Sequence, residues 1–446
     1  MIVGVLSWST RLSSHLRKLR LPPRLVGEAT WILTGQIVAA IGGIIGVPLL
    51  THFLRPEEYG RLALGGTAAA LVQQVTIGPV GNAAQRFYAA SAEANALSDY
   101  LRAAGRVVLI SSSFVVAFGS LALIALAYSP WRGSLVLAGW SLISAILSGF
   151  SSVFDGIQSA ARQRAIVAWH QGLGVWFRFG AAALLLRLRG SAEMAMAGFV
   201  IAVTATLLSQ VLFFRKAILS SPACRVGFDP RASREMRRQM WIYAWPFSSW
   251  GLFTWAQSAS DRWALEAFTT TRVVGVYQAL YQLGYYPISM ASTLLNQLVQ
   301  PILFSRAGGG TDEGRMKGAH GVVNRLLAAS LLLTIVAAVA AALLCRPLFR
   351  HLLPPAYGSV APLMPVIVLA TGILACGQVA SLKHVLTTNP RSLIAPKIAT
   401  AILGACLNIA GAYLFGLKGV VAAELCFSMV YCAWVVATAP KPGLAT

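Results

Sequence analysis

Hydrophobic residues gather into twelve long runs that short polar segments separate. The runs fall near residues 29–53, 60–85, 105–128, 133–154, 165–186, 193–214, 241–263, 274–300, 323–345, 361–382, 394–415 and 419–438. Each has about 20 residues or more, which is the length that a helix needs to cross a hydrocarbon layer of roughly 30 Å. The runs lack the ten-residue alternation of a membrane barrel. The pattern therefore predicts an all-α integral membrane protein with about twelve transmembrane helices.

The composition supports this fold class and limits the chemistry. Of the 446 residues, 57% are hydrophobic and only 11% are charged, whereas soluble domains have about 25% charged residues. An ordinary soluble enzyme is therefore excluded. The six cysteines have no metal-ligand spacing, so we predict neither a disulfide framework, nor a metal site, nor a cofactor.

The charged residues are unequally divided between signs and between loops. The chain has 36 Lys and Arg against 14 Asp and Glu, a formal charge of +22. On a soluble protein this excess would suggest nucleic acid, but in a membrane protein basic loops face the cytoplasm. With the N-terminus inside, cytoplasmic segments hold 24 basic residues and the opposite face holds 10. We therefore expect both termini in the cytoplasm and no nucleic-acid partner.

The most basic loop divides the runs into six and six. The predicted organisation is a basic cytoplasmic N-terminal segment, an N-lobe, a basic cytoplasmic linker, a C-lobe and a cytoplasmic tail, at residues 1–28, 29–214, 215–240, 241–438 and 439–446. An offset of 215 carries Gly60 onto Gly275 and Gln85 onto Gln300. Because each half has an even number of spans, we expect a parallel repeat with a pseudo-twofold axis along the membrane normal and a central cavity.

Two runs carry polar residues at helical spacing. In the second run, Gln74, Gly78, Asn82 and Arg86 recur every four residues and form one stripe, and Pro79 is expected to interrupt that helix next to it. In the eighth, a stripe interrupted by Pro287 comprises Tyr277, Tyr281, Tyr285, Ser289, Ser292, Asn296 and Gln300. Polar groups at membrane depth face another helix or a wet cavity. We interpret the stripes as lining a lumen; hydrogen bonding between helices is the alternative for any single amide.

Charged groups within the runs are the other candidates. Arg178, on one face with His170, could meet a phosphate or pair with a buried acid, and His170 could titrate or simply pack. Asp261 and Arg262 are expected to form a local ion pair, or to act as a gate or cargo contact. Glu424 is a candidate proton or cation site that could instead pair with Lys418 or an arginine.

Four segments resemble oligosaccharide flippases of the polysaccharide-transport branch of the MOP exporter superfamily. Residues 54–60, LRPEEYG, are similar to the signature L-G-P-E-E-Y/F-G, with Arg55 in place of glycine. Residues 81–88, GNAAQRFY, resemble the end of that family's second helix. Residues 260–277 resemble its helices 7 and 8, with Glu266 in place of glycine, and residues 407–423 resemble its helices 11 and 12.

The resemblance implies a function and a location. A member of this family flips an undecaprenyl-diphosphate-linked oligosaccharide from the cytoplasmic to the outer face of the bacterial inner membrane by alternating access. Coupling to a proton or cation gradient is usual, and the expected partners are membrane lipids and polysaccharide assembly proteins. Arg86, Asp261 and Arg262 match family motif positions; Arg178, His170 and Glu424 do not.

The charged residues and the loop lengths bear on two other functions. A multidrug or cation antiporter of the same superfamily should place acidic residues in its cavity, and the deep charges favour an anionic cargo instead. A membrane glycan polymerase or ligase should have a large outer loop, but every predicted outer loop is short. We therefore expect a transporter and not an enzyme.

Overall fold

The computed structural model describes residues 23–219, 229–307, 313–386 and 393–440. Within these residues the chain forms twelve α-helices and no β-strand. They are α1 (Pro23–Phe53), α2 (Pro56–Val75), α3 (Ile77–Glu93), α4 (Leu97–Ala127), α5 (Leu135–Ala160), α6 (Arg164–Leu186), α7 (Ala192–Phe214), α8 (Pro230–Phe268), α9 (Thr271–Ala307), α10 (Glu313–Leu352), α11 (Met364–Leu386) and α12 (Ile394–Ala437). The all-α prediction is confirmed.

Several helical segments are suited to a bilayer. Among the described residues, seven are long and apolar enough to cross a membrane. They are Thr30–Phe53, Leu97–Ala127, Arg132–Ala160, Ala192–Phe214, Gly314–Leu352, Pro355–Leu386 and Ile394–Ala437. The chain is therefore a multi-pass membrane protein.

The last two predicted spans lie in one element, α12, which reverses direction at Gly416. This residue has φ 59° and ψ −136°, a conformation open to glycine because it has no Cβ. A Cβ on Gly411 would lie only 2.6 Å from the carbonyl oxygen of Gly419. In an unbroken helix these residues would be about 12 Å apart along the axis, so α12 is a helical hairpin.

The second predicted span is divided into two helices, and the break precedes Pro79. Thr76, between α2 and α3, has φ −113° and ψ −77°. A proline has no N–H and crowds the carbonyl group four residues earlier, so α2 ends at Val75. The predicted interruption at Pro79 is therefore confirmed, and it divides the stripe: Gln74 lies on a different helix from Asn82 and Arg86.

The predicted interruption at Pro287, by contrast, is wrong, because α9 is helical from Thr271 to Ala307. Membrane helices tolerate proline where neighbouring groups satisfy the freed carbonyl.

The chain divides into two compact units. Unit 1 comprises Met1–Phe53 and Leu64–Trp255, and unit 2 comprises Leu54–Ala63 and Ala256–Thr446. The divisions fall inside α2 and α8, and the lobe boundaries at 214 and 241 stay predictions. In unit 1, glycines of α1 allow close contact with α6: a Cβ on Gly35 would lie 2.6 Å from the Ala168 carbonyl oxygen. In unit 2, the Tyr357 hydroxyl donates to the Leu54 carbonyl at 2.8 Å.

Candidate functional site

A buried ion pair lies near the end of α8 in unit 2. Asp261 is 1% exposed and Arg262 is 4% exposed, and Nη1 of Arg262 lies 3.0 Å from Oδ1 of Asp261. The same guanidinium donates to the Ser258 carbonyl at 2.6 Å and to Oε1 of Gln278 at 2.7 Å. The predicted local ion pair is confirmed. Its charges are stabilised by these additional hydrogen bonds, which buried ions require.

Tyrosines of α9 complete this cluster. The Tyr277 hydroxyl donates to Oδ2 of Asp261 at 2.7 Å. The Arg262 guanidinium lies 4.0 Å from the centre of the Tyr281 ring, a distance suited to a cation–π interaction. Tyr285 stacks on Tyr281 with ring centres 4.3 Å apart. The α9 stripe therefore contacts charged groups of α8 along its first turns.

A second carboxyl group reaches the cluster from α12. Glu424 is 4% exposed, and its charge lies within electrostatic range of Asp261 and Arg262. Asn408 donates to the Ser260 hydroxyl of α8 at 3.1 Å. Arg262 forms its ion pair with Asp261, so this part of unit 2 has two buried carboxyl groups and one buried guanidinium. If both are ionised, the cluster has one excess negative charge, which a proton or a monovalent cation would neutralise.

The remainder of the α9 stripe is less connected. The Ser292 hydroxyl donates to Oε1 of Gln378 at 3.2 Å. Oδ1 of Asn296 is buried and has no hydrogen-bond partner among the described residues. The Gln300 side chain lies outside the described residues.

Unit 1 contains a polar cavity of about 420 Å³ among α2, α5, α6 and α7. The charged or titratable side chains that line it are Asp155, His170 and Arg178; the polar neutral ones are Gln73, Ser144, Ser148, Ser151, Gln171, Thr206 and Gln210. His170 and Arg178 were predicted to share a face, and the structure places both on this cavity.

Asp155 is the centre of a hydrogen-bonded chain on this cavity. Its carboxylate accepts from Nε2 of Gln210 at 2.8 Å and from Nε2 of Gln171 at 3.3 Å. Ser151 donates to Oε1 of Gln210 at 2.8 Å, and Gln36 to Oε1 of Gln171 at 3.4 Å. All these donors are neutral.

Asp155 was not among the residues predicted from sequence, because it follows a hydrophobic run that ends at residue 154 and was therefore assigned to a cytoplasmic loop. Helix α5 continues to Ala160. A signal was present in the sequence: Ser144, Ser148, Ser151 and Asp155 are spaced by four, three and four residues, which is one helical face.

The other unit 1 candidates have aromatic or exposed surroundings. The Arg178 guanidinium lies 5.0 Å and 5.1 Å from the ring centres of Phe179 and Phe199. Nε2 of His170 is 3.0 Å from the Ser209 hydroxyl. Asn82 and Arg86 are exposed on α3 and Gln74 is half-buried in α2; none of the three lines the cavity, whereas Gln73 does.

The described part of the chain has no group of three or more His, Cys, Asp or Glu side chains that could hold a metal ion.

Comparison with solved structures identifies the fold. An inward-facing MATE-family multidrug resistance transporter of the MOP superfamily matches with a TM-score of 0.65 and 14% identity, over 90% of this chain and 93% of that one. A MOP-superfamily transporter from Pyrococcus furiosus, whose binding pocket is described as having reverse polarity, gives 0.56 and 14%, over 91% and 94%. The eukaryotic MATE transporter AtDTX14 gives 0.52 and 12%, over 92% and 94%.

Comparison of sequences identifies the family. No curated protein matches the chain. The model of the family described as polysaccharide biosynthesis protein matches residues 25–306, which is more than half of the chain. The protein therefore belongs to the polysaccharide biosynthesis protein family and has the all-helical fold of MOP-superfamily transporters.

Proposed function

We propose that this protein flips an undecaprenyl-diphosphate-linked oligosaccharide from the cytoplasmic to the outer face of a bacterial inner membrane by alternating access. The observation that carries the proposal is the match to a polysaccharide biosynthesis family on a chain with a transporter fold. The proteins that share this fold are described as transporters, which favours transport over glycan synthesis.

The unit 1 cavity supports a saccharide cargo. Carboxylates, carboxamides and hydroxyl groups are the side chains that hydrogen-bond sugar hydroxyls, and Asp155, Gln210 and Ser151 provide all three. Arg178 would meet an anionic group, since a guanidinium binds phosphate or carboxylate through two parallel hydrogen bonds. Arg86, exposed on α3, is a second candidate for the diphosphate.

The proposal includes the location and the driving force. Both termini would lie in the cytoplasm, where basic loops are favoured, and membrane lipids and polysaccharide assembly proteins would be the partners. Glu424 and His170 are the sequence-derived candidates for coupling to a proton or cation gradient. No cofactor is required.

The test is the distribution of lipid-linked glycan across the membrane in a deletion strain. We expect it to accumulate on the cytoplasmic face and the wild-type gene to restore export. Arg178→Gln and Arg86→Gln should restore it poorly, while Arg272→Gln, which alters an exposed pair with Glu57, should restore it fully. Normal export in the deletion strain, with no second transporter present, would contradict the proposal.

A multidrug or cation antiporter is the second candidate, and one observation favours it. Three carboxyl groups lie on the helices: those of Asp261 and Glu424 are buried, and that of Asp155 lines the unit 1 cavity. Acidic groups suit a cationic drug. Drug resistance that depends on the gene in a strain whose glycan export is normal would support this alternative.

A further inference from the structure

We propose that an apolar pocket between α6 and α7, next to the unit 1 cavity, binds the first isoprene units of the transported lipid. This inference rests on the proposed function, because it takes the cargo to be a polyprenyl-diphosphate-linked glycan. It adds to that function a binding site for the apolar end of the cargo, beside the cavity that would receive its polar end.

The pocket between α6 and α7 has a volume of about 470 Å³. Its walls are mainly aromatic and aliphatic: Trp169, Leu173 and Phe177 of α6, and Ala205 and Phe213 of α7. Phe177 is 58% exposed, so the pocket opens at the surface of unit 1, and exposed apolar surface marks contact with lipid or an apolar ligand. Since a cavity of about 150 Å³ holds one benzene molecule, this pocket has room for more than one five-carbon unit.

The apolar pocket and the polar cavity share a wall. Three residues line both of them, namely His170 and Gly174 of α6 and Thr206 of α7. On one side of this wall lie the polar groups of the cavity, which include Asp155 and Gln210, and on the other side lie the aromatic rings of the pocket. A lipid-linked glycan needs both environments, because its sugars require hydrogen bonds and its chain is stabilised by leaving water.

The shared wall has the least side-chain material at Gly174. One turn before it, Nε2 of His170 lies 3.0 Å from the Ser209 hydroxyl, a contact that joins α6 to α7. At Gly174 a Cβ would lie 3.7 Å from Oγ1 of Thr206, which is ordinary van der Waals contact, so a methyl group would fit where glycine has a hydrogen. Glycine is the residue that permits close approach of a ligand to the backbone. The chain of the cargo therefore crosses the wall at this level.

The position of Arg178 agrees with this arrangement. Arg178, the proposed ligand of the diphosphate, follows Gly174 by four residues, which places the two on one helical face and about 6 Å apart along the axis. In a polyprenyl diphosphate the phosphate is bonded directly to the first isoprene unit, so the groups that bind them must be close neighbours.

A second apolar depression does not meet this requirement. It has a volume of about 580 Å³ and lies between α1 and α6. It meets the α6–α7 pocket at Leu173 and Phe177, but among the described residues it shares no lining residue with the polar cavity. The structure therefore favours the α6–α7 pocket for the isoprene units nearest to the diphosphate.

The test is photochemical crosslinking of the purified full-length protein in nanodiscs of phosphatidylcholine. The probe is undecaprenyl diphosphate with a diazirine on its second isoprene unit, and mass spectrometry of the labelled peptides locates the adducts. We expect adducts on the residues of α6 and α7 that line the pocket. Excess unlabelled undecaprenyl diphosphate should remove them, whereas the same excess of phosphatidylglycerol should not.

Two variants narrow the shared wall from opposite helices. Gly174→Leu and Thr206→Leu should each lower labelling of the pocket at least about fivefold, because the new side chain occupies space that the ligand needs. The matched control is Gly180→Leu on the same helix, which lines the α1–α6 depression and where a Cβ would meet open space; it should label as the wild type does. The Tm of every variant is measured, and the second leucine variant serves if the first does not fold.

Three results would overturn the proposal. The first is labelling that is no stronger in the pocket than at exposed leucines of α10 such as Leu332 and Leu343. The second is equal competition by phosphatidylglycerol, which would identify an ordinary site for phospholipid acyl chains. The third is undiminished labelling in both leucine variants.

Failure of this proposal and failure of the proposed function are distinguishable. Loss of glycan export in the deletion strain without adducts in the pocket would refute the pocket alone. Adducts in the pocket that only undecaprenyl diphosphate removes, together with normal export in the deletion strain, would refute the proposed function and leave the binding site.

Discussion

Removal of the Asp261 carboxylate should destabilise unit 2 strongly. Asp261→Asn keeps the size of the side chain and an oxygen that can accept from Tyr277, but leaves the buried Arg262 charge without its counterion. Breaking a buried ion pair by removing one partner costs about 3–5 kcal/mol. Arg262 retains its bonds to Ser258 and Gln278 and its contact with the Tyr281 ring, so we expect a loss near the lower limit, about 3 kcal/mol.

The matched control is the exposed pair of unit 2. Nη1 of Arg272 lies 3.2 Å from Oε1 of Glu57, with the side chains 59% and 42% exposed. Exposed ion pairs contribute about 0–1 kcal/mol, so Glu57→Gln should cost less than about 1 kcal/mol. The two pairs have similar distances and differ in burial, which isolates burial as the cause.

The assay is reversible unfolding of the detergent-solubilised protein, with the free energy of unfolding measured for each variant. Removing both charges, in the double variant Asp261→Asn, Arg262→Gln, should cost less than the sum of the two single changes. Each single change leaves the partner's charge without its counterion, and the double variant does not. Glu424 could substitute for the missing carboxylate, so the series is repeated in the Glu424→Gln background. A loss below about 1 kcal/mol for Asp261→Asn in that background would refute the reasoning.

Three further predictions concern backbone geometry and the cavity. Gly275→Ala should cost about 2 kcal/mol in unfolding free energy, because the new Cβ would collide with the Pro56 carbonyl oxygen. The control is Gly105→Ala, where a Cβ would meet open space; it should be neutral or stabilising by up to about 1 kcal/mol. Equal effects of the two substitutions would contradict this. Gly416→Ala should cost about 1–3 kcal/mol, because a Cβ is strained at φ 59°, and an unchanged Tm would refute it. Arg178→Lys should retain more glycan export than Arg178→Gln if the charge matters, and equal loss would mean that the guanidinium geometry is required.

Part of the candidate site follows from local sequence. Asp261 and Arg262 are adjacent, so their ion pair could be predicted, and the tyrosines of α9 follow the four-residue spacing of one helical face. What could not be predicted is that Tyr277 donates to Asp261 and that Glu424 lies within electrostatic range of both charges, since helix packing brings together residues 16 and more positions apart. The sequence offset of 215 aligns Gly60 with Gly275, and the structure places these two glycines in contact. A Cβ on Gly60 would lie 2.9 Å from the backbone nitrogen of Gly275.

The sequence by itself determined that the chain lies in a membrane, that it is helical, and which family it resembles. These properties depend on hydropathy summed over about 20 residues and on short motifs, both of which are local. The tertiary structure decided where the helices break and which polar groups meet. The α2 break depends on how Pro79 affects the carbonyl of Val75. The surroundings of Asp155 depend on Gln171 and Gln210 from two other helices, because a side chain at the end of a hydrophobic run lines a cavity only when neighbouring helices extend past it.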